Sequence, residues 1–148
     1  MTNPFMEEAL KAAIIAGEKG DVPIGAVLVH NNQIIASSGN KVYQHCDPTA
    51  HAEIEVLRQG ALHLKTTFLT ECDLYVTLEP CAMCAQAIAW SRIRRLYFGA
   101  YDPKGGAVIH GAQIFEQPTC HHRPEVIGGI QEDSCGSILK NYFEPKRF

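Results

Sequence analysis

Two short segments, thirty residues apart, constrain the fold of this chain more than any other feature. The first is His51-Ala52-Glu53 and the second is Pro80-Cys81-Ala82-Met83-Cys84. One imidazole and two thiolates are suitable ligands for a tetrahedral Zn²⁺ whose fourth position is left to water. The sequence therefore predicts a fold that brings His51, Cys81 and Cys84 together around one zinc ion.

Each half of this pattern also has a simpler explanation. A Cys-x-x-Cys pair can be a redox pair, half of a zinc ribbon or two core thiols. Cys81 and Cys84 share a helical spacing with Ala85 and Ile88, so inert thiols facing a core would show the same pattern. His51 falls on the apolar face of the next predicted helix, which also suits a buried structural histidine. The two halves together, with a carboxylate beside the histidine and a proline before the first thiol, favour the zinc site.

Glu53 indicates what such a site does. A structural zinc site is closed by a fourth protein ligand, whereas a carboxylate beside an open position is suited to proton transfer. The combination of His-x-Glu with Pro-Cys-x-x-Cys is typical of zinc deaminases that act on nucleobases. In that chemistry a metal-activated water attacks a ring carbon that carries an exocyclic amine. We therefore predict that Glu53 is the catalytic residue, which moves protons from the water to a ring nitrogen and to the leaving ammonia.

Apolar spacing and turn residues predict one α/β domain over residues 1–148, with three α/β/α layers around a mixed sheet. Residues 101–112 are predicted to form a glycine-rich surface loop that can close over a ligand. The first predicted helix starts at Pro4 after an Asn3 cap, and the second follows a Thr49 cap and runs to about Lys65. The third is predicted from Cys81 to about Ser91, and the fourth over about Glu132–Phe143. The predicted strands are Ile24–Val29, Gln33–Ser38, Asp73–Leu78, Arg95–Gly99 and Glu125–Ile127.

Composition excludes several classes of function. The formal net charge is −3, so no global attraction to nucleic acid is expected, and an RNA partner must meet a local patch. No run of 18 apolar residues exists, so no membrane span is expected. The first residues lack the basic and apolar segments of a signal peptide. Six cysteines at irregular spacing fit a reducing cytosol better than a disulfide framework.

Two polar clusters leave alternatives open. Arg92, Arg94 and Arg95 follow the predicted metal helix and are explained either as a solvated helix end or as phosphate contacts. His121 and His122 are explained as surface groups, as nucleic-acid contacts or as extra metal ligands, the last being the least favoured.

Longer stretches resemble the bacterial tRNA-specific adenosine deaminase family of the cytidine and deoxycytidylate deaminase superfamily. The zinc motifs alone specify only the superfamily, whereas the stretches between them specify the tRNA branch. The resemblance is carried by Asp47 to Ile54 and Tyr75 to Cys84, and it extends over Val22 to Val27, Ser91 to Arg95, Phe98 to Lys104 and His121 to Val126.

This resemblance implies a cytidine-deaminase-like subunit with a five-stranded sheet and helices on both faces, one catalytic zinc per subunit, and a homodimer. It implies hydrolytic conversion of adenosine to inosine at the wobble position of a tRNA anticodon stem-loop of the ACG type. The target base would be splayed out of the loop into the pocket, so no duplex has to open. A cytoplasmic location is expected, without a membrane partner or a dinucleotide cofactor.

The resemblance also implies substrate contacts at particular positions of this chain. Asn40 would bond the target base, and the backbone N–H groups of Ala52 and Cys81 would hold the attacking hydroxide or the base. Asp102 and Lys104 would contact neighbouring nucleotides or the RNA backbone, and Phe143 would touch the anticodon loop.

Two other functions stay open. A deaminase of a free base or nucleoside, such as guanine or cytosine, would share the zinc ligands and Glu53 but would not need a basic rim. Such a rim would use Arg92, Arg94, Arg95, Lys104 and Lys146. A non-catalytic, zinc-stabilised RNA-binding module would require a fourth protein ligand to the metal. Tyr101 departs from the family, in which arginine or another polar residue is common at this position.

Overall fold

Five strands form one mixed sheet at the centre of the protein, in a computed structural model that describes residues 2–144. The order across the sheet is β2-β1-β3-β4-β5. β1 pairs antiparallel with β2 and β3, whereas β3, β4 and β5 run parallel. The strands are β1 (Gly25–His30), β2 (Gln33–Gly39), β3 (Cys72–Leu78), β4 (Arg95–Ala100) and β5 (Glu125–Ile127).

Helices cover both faces of this sheet, which confirms the predicted three-layer α/β/α arrangement. They are α1 (Pro4–Glu18), α2 (Ala52–Leu64), α3 (Ala82–Trp90) and α4 (Glu132–Phe143). In β1, Ala26 and Leu28 belong to the core that α2 and α3 cover, while Val27 and Val29 belong to the core beneath α1 and α4. This alternation is the period of two expected of a strand buried on both faces.

The first helix lies directly against the hairpin formed by β1 and β2. Asn3 caps α1 as predicted, since its Oδ1 accepts the N–H groups of Phe5 at 2.9 Å and Met6 at 3.0 Å. A Cβ at Gly25 would overlap the backbone of α1 at Ala9. Glycine at this position therefore allows the helix and the strand to approach closely.

The starts of α2 and α3 differ from the prediction. Thr49 does not cap α2, because its N–H and hydroxyl both donate to the Asp47 side chain in the preceding turn, at 2.9 and 2.7 Å. His51 occupies the cap position instead. α3 begins at Ala82, one residue later than predicted, because Cys81 stands at the cap position. The first ligand of each half-motif therefore sits at the N-terminal end of a helix.

Within residues 2–144, every helix is too short or too polar to span a lipid bilayer. The suggestion that Lys146 adds to a basic rim falls outside the described residues.

Candidate metal and catalytic site

The starts of α2 and α3 bring the three predicted metal ligands together. His51 Nδ1 lies 3.6 Å from Cys81 Sγ and 3.5 Å from Cys84 Sγ, and the three ligand atoms all lie within 4.8 Å of one another. Tetrahedral zinc with bonds of ~2.3 Å to sulfur and ~2.1 Å to nitrogen places such ligand atoms about 3.6 Å apart. The side chains present therefore fit one zinc ion.

Among residues 2–144, no fourth histidine, cysteine or acidic residue joins this cluster. His122 Nε2 lies 2.7 Å from the carbonyl oxygen of Ile93, and His121 is exposed, so neither completes the site. Three protein ligands are the number expected of a catalytic zinc with an open position. The described residues thus lack the fourth ligand that a purely structural zinc site requires.

Hydrogen bonds within the cluster prepare one thiol for metal binding. The neighbouring Cys84 thiol lowers the pKa of Cys81 to about 4 despite burial, and His51 and the nearby Cys84 backbone N–H act in the same direction. The bond to Cys81, together with burial, raises the pKa of Cys84 itself. The pair therefore holds one proton that a metal ion would displace, since both ligands bind zinc as thiolates.

Glu53 lies in the first turn of α2, beside the ligands, and is only 4% exposed. Burial raises the pKa of its carboxyl to about 7, and the negative charge on Cys81 adds to this effect. The charge of His51 and a hydrogen bond with Cys84 oppose it. A carboxyl with a pKa near neutrality can both accept and release a proton at physiological pH.

Asn40 is linked to the start of α2 by a hydrogen bond that the sequence did not reveal. Its Oδ1 accepts the N–H of Ala52 at 2.9 Å, and both residues are buried. The Gln44 side-chain amide donates a hydrogen bond to the Asn40 backbone carbonyl at 3.2 Å and another to the buried carboxylate of Asp21 at 2.7 Å. Because Asn40 engages the Ala52 N–H, a contact of that N–H with substrate stays a prediction.

Glu79 is a site residue that sequence reasoning missed. It is 2% exposed, and its Oε1 lies 3.1 Å from the N of Asp102 and 2.8 Å from His110 Nδ1. Its Oε2 accepts the N–H groups of Val108, Ile109 and His110 at 3.2, 2.9 and 3.0 Å. Burial raises the pKa of Glu79, but these hydrogen bonds outweigh it and the pKa is lowered. The only sequence signal was a carboxylate between an apolar strand and Pro80.

Asp102 and Phe143, two of the three residues predicted to contact RNA beside the target base, line one cavity. A volume of about 360 Å³ is lined by Tyr101, Asp102, Leu139 and Phe143, among others. Phe143 is 47% exposed on α4. Lys104 is exposed on the turn next to Asp102, whose Oδ1 accepts the Lys104 N–H at 3.2 Å. The structure therefore groups Asp102, Lys104 and Phe143 on one side of the molecule.

The arginine cluster is mostly neutralised within the protein. Arg94 makes two hydrogen bonds to Asp73, at 2.9 and 3.0 Å, and Arg95 bonds Glu125 at 2.7 Å. The Arg92 guanidinium lies 5.6 Å from the centroid of a phenyl ring. These contacts favour an ion-paired surface near the end of α3 over a free phosphate-binding patch.

Comparisons with known proteins agree with this geometry. Residues 2–100 match the zinc-binding region of cytidine and deoxycytidylate deaminases. A tRNA-specific adenosine deaminase of Agrobacterium fabrum is 55% identical over 143 residues, which cover 97% of this chain and 94% of that protein. A solved structure from work on A-to-I editing by tRNA:A34 deaminases at the wobble position has a TM-score of 0.90 and 56% identity, over 91% of this chain and 98% of that one. A guanine deaminase structure from Bacillus subtilis is 38% identical with a TM-score of 0.64, over 66% of this chain and 62% of that one. The chain therefore belongs to the tRNA-specific adenosine deaminase family, within the cytidine and deoxycytidylate deaminases.

Proposed function

We propose that this chain is a zinc-dependent hydrolase that converts adenosine to inosine at the wobble position of a tRNA anticodon. The observation that carries the proposal is the cluster of His51, Cys81 and Cys84 with the buried carboxyl of Glu53 beside it. The 55% identity to an adenosine deaminase over nearly the whole chain supports adenosine in tRNA as the substrate.

The chemistry divides between the metal ligands and Glu53. His51, Cys81 and Cys84 would hold Zn²⁺, which supplies the Lewis acidity that makes a water nucleophilic near neutral pH. Glu53 takes a proton from the attacking water and gives it to a ring nitrogen of adenine. The same carboxyl then takes the remaining proton of the added hydroxyl and delivers it to the departing amine, which leaves as ammonia while the ring carbon becomes a carbonyl. A pKa of about 7 suits both transfers.

The polar groups around the metal cluster would orient the RNA. Within residues 2–144, no hydrogen bond uses the Asn40 side-chain Nδ2, so this amide is available to the target base. Asp102 and Lys104 would contact the flanking nucleotides, and Phe143 would pack on the anticodon loop. The Ala52 N–H would contact the attacking hydroxide or the base only if its hydrogen bond to Asn40 is broken or shared.

We also propose that residues 1–148 form a single deaminase domain that works in the cytoplasm as a homodimer, with one zinc per subunit and an ACG-type anticodon as substrate. A second copy would bind the apolar groove between α2 and α3. Leu57, Met83 and Trp90 line this groove, and Trp90 is 70% exposed. An exposed tryptophan in an apolar groove is typical of a protein interface. Sedimentation of Trp90→Ser should show dissociation at protein concentrations at which the parent stays dimeric.

One assay tests the substrate. The zinc-loaded protein is incubated with an anticodon stem-loop that carries ACG, with the same stem-loop carrying GCG, and with free adenosine, cytidine and guanine. Inosine in the first RNA alone supports the proposal. Ammonia from guanine would instead favour the activity of the B. subtilis relative, and no product would favour a non-catalytic RNA-binding module. Glu53→Gln is the matched control, which should keep zinc and lose turnover.

A further inference from the structure

Glu79 is a buried carboxylate that the proposed chemistry does not use. It follows the last residue of β3, and its side chain has no exposed surface. Four backbone N–H groups and one imidazole nitrogen converge on its two oxygens, at 2.8 to 3.2 Å. Only an ionised carboxylate offers enough acceptor sites for so many donors, because an amide of the same shape would turn an NH₂ group toward some of them.

These donors come from both ends of the segment 102–110. Asp102 bonds at one end, and Val108, Ile109 and His110 bond at the other. Gly106, between them, packs so closely that a Cβ there would lie 2.6 Å from Glu79 Oε2. The segment is therefore folded around one carboxylate and is not a free lid, which differs from the expectation that residues 101–112 close over a ligand.

The same segment is fixed to the metal-binding region and to the proposed RNA face. The Ala107 N–H donates to the Pro80 carbonyl at 2.9 Å, next to Cys81. The His110 ring lies edge-on to Tyr101, with centroids 6.3 Å apart, and Tyr101 lines the same cavity as Asp102. Glu79 thus connects the start of α3 to segment 102–110, which carries Asp102 and Lys104.

We propose that Glu79 is a positioning residue that preforms segment 102–110 for RNA binding. This inference rests on the proposed function. A preformed segment does not have to be ordered when the RNA binds. Loss of this preformed conformation should therefore weaken RNA binding more than it slows the chemical step. Glu79 acts through the loop, so it should not be needed to hold zinc.

The test compares Glu79→Gln with Asp73→Asn in zinc-loaded protein. Asp73 is a matched control, because it is a buried carboxylate at the opposite end of β3 and bonds Arg94. In Glu79→Gln we expect the KM and the Kd for the anticodon stem-loop to rise about tenfold or more, kcat to change less than about threefold, and zinc to stay at one per chain. Hydrogen exchange at the amides of Val108, Ile109 and His110 should accelerate. Asp73→Asn should lower the melting temperature without raising KM or Kd and without accelerating loop exchange.

Unchanged KM and unchanged loop exchange in Glu79→Gln would overturn the inference, and so would loss of zinc from that variant. If Glu79→Gln does not fold, Gly106→Ala keeps the carboxylate while crowding its Oε2, and the same rise in KM and in loop exchange is expected. A normal KM for Gly106→Ala would then overturn the inference. If the wild-type protein binds the stem-loop without making inosine, the proposed function fails, and stem-loop Kd together with loop exchange still decides the role of Glu79.

Discussion

The hydrogen bond between Asn40 and Ala52 separates two roles of one side chain. Asn40 is 5% exposed and Ala52 is fully buried. The Asn40 Oδ1 satisfies the Ala52 N–H at 2.9 Å, while its Nδ2 is the group proposed to contact the base. Asn40→Ala removes both functions. Asn40→Asp keeps the acceptor and removes the donor, so the two substitutions should differ in stability and agree in activity.

The expected magnitudes follow from burial. Leaving a buried N–H without an acceptor costs ~1–3 kcal/mol. For a chain of 148 residues, an unfolding entropy of ~2.1 cal/mol/K per residue converts each kcal/mol into a shift of about 3 °C. Asn40→Ala should therefore lower the melting temperature by about 3–9 °C. Asn40→Asp should stay closer to the parent, because a carboxylate accepts well from an N–H at a helix start.

The assay measures melting temperature and kcat/KM on the anticodon stem-loop, with zinc content as the control. Both variants should bind one zinc and lose roughly 10- to 100-fold in kcat/KM, the loss of one buried hydrogen bond to the base. A melting temperature of Asn40→Ala equal to that of the parent would refute the structural role of Oδ1. Full activity in Asn40→Asp would refute the donor role of Nδ2.

The remaining predictions concern the thiols and the packing of α1. In zinc-loaded protein the exposed Cys46 should be the first thiol to be alkylated, and chelation should add Cys81, whose lowered pKa favours the reactive thiolate, while the buried Cys84 should stay unlabelled. Equal labelling of Cys81 before and after chelation, read by mass spectrometry, would contradict zinc ligation. Gly25→Ala should destabilise by ~1–3 kcal/mol in urea unfolding, because its methyl overlaps α1, and a loss under ~0.5 kcal/mol would contradict that packing. In chelated protein Cys81→Ser should be more stable than Cys81→Ala by about 1 kcal/mol, although neither should retain zinc; equal unfolding midpoints would show that residue 81 does not cap α3.

The zinc cluster was predictable because its signals are local. Each half-motif lies on one short segment, and the strand and helix patterns around Cys81 and His51 place both segments at helix starts. The bounds of β5 and α4 were also predicted correctly, since periodicity and flanking residues define them without distant partners. Because an imidazole and two thiols are suitable zinc ligands, a zinc site was expected once the two segments lay side by side.

The supporting contacts were not predictable because their partners are distant in the chain. Glu79 bonds residues 23 to 31 positions further on, and Asn40 bonds a residue 12 positions further on. No spacing rule assigns an acceptor to a donor in another loop. The arginine cluster shows the same limit, since Asp73, which pairs with Arg94, lies 21 residues earlier in the chain.

The cap positions of α2 and α3 hold metal ligands instead of residues that cap a helix well. Thr49 was predicted as the cap of α2 because threonine is a good cap, but the cap positions of α2 and α3 hold His51 and Cys81. Neither side chain makes a capping hydrogen bond, and the ligand atoms of His51 and Cys81 lie 3.6 Å apart in the metal cluster instead. At Cys81 the positive end of α3 and the neighbouring Cys84 thiol both favour thiolate over thiol, as zinc does. The helix start therefore favours the metal-binding protonation state of this ligand, and α3 lacks the side-chain cap that serine or threonine would supply.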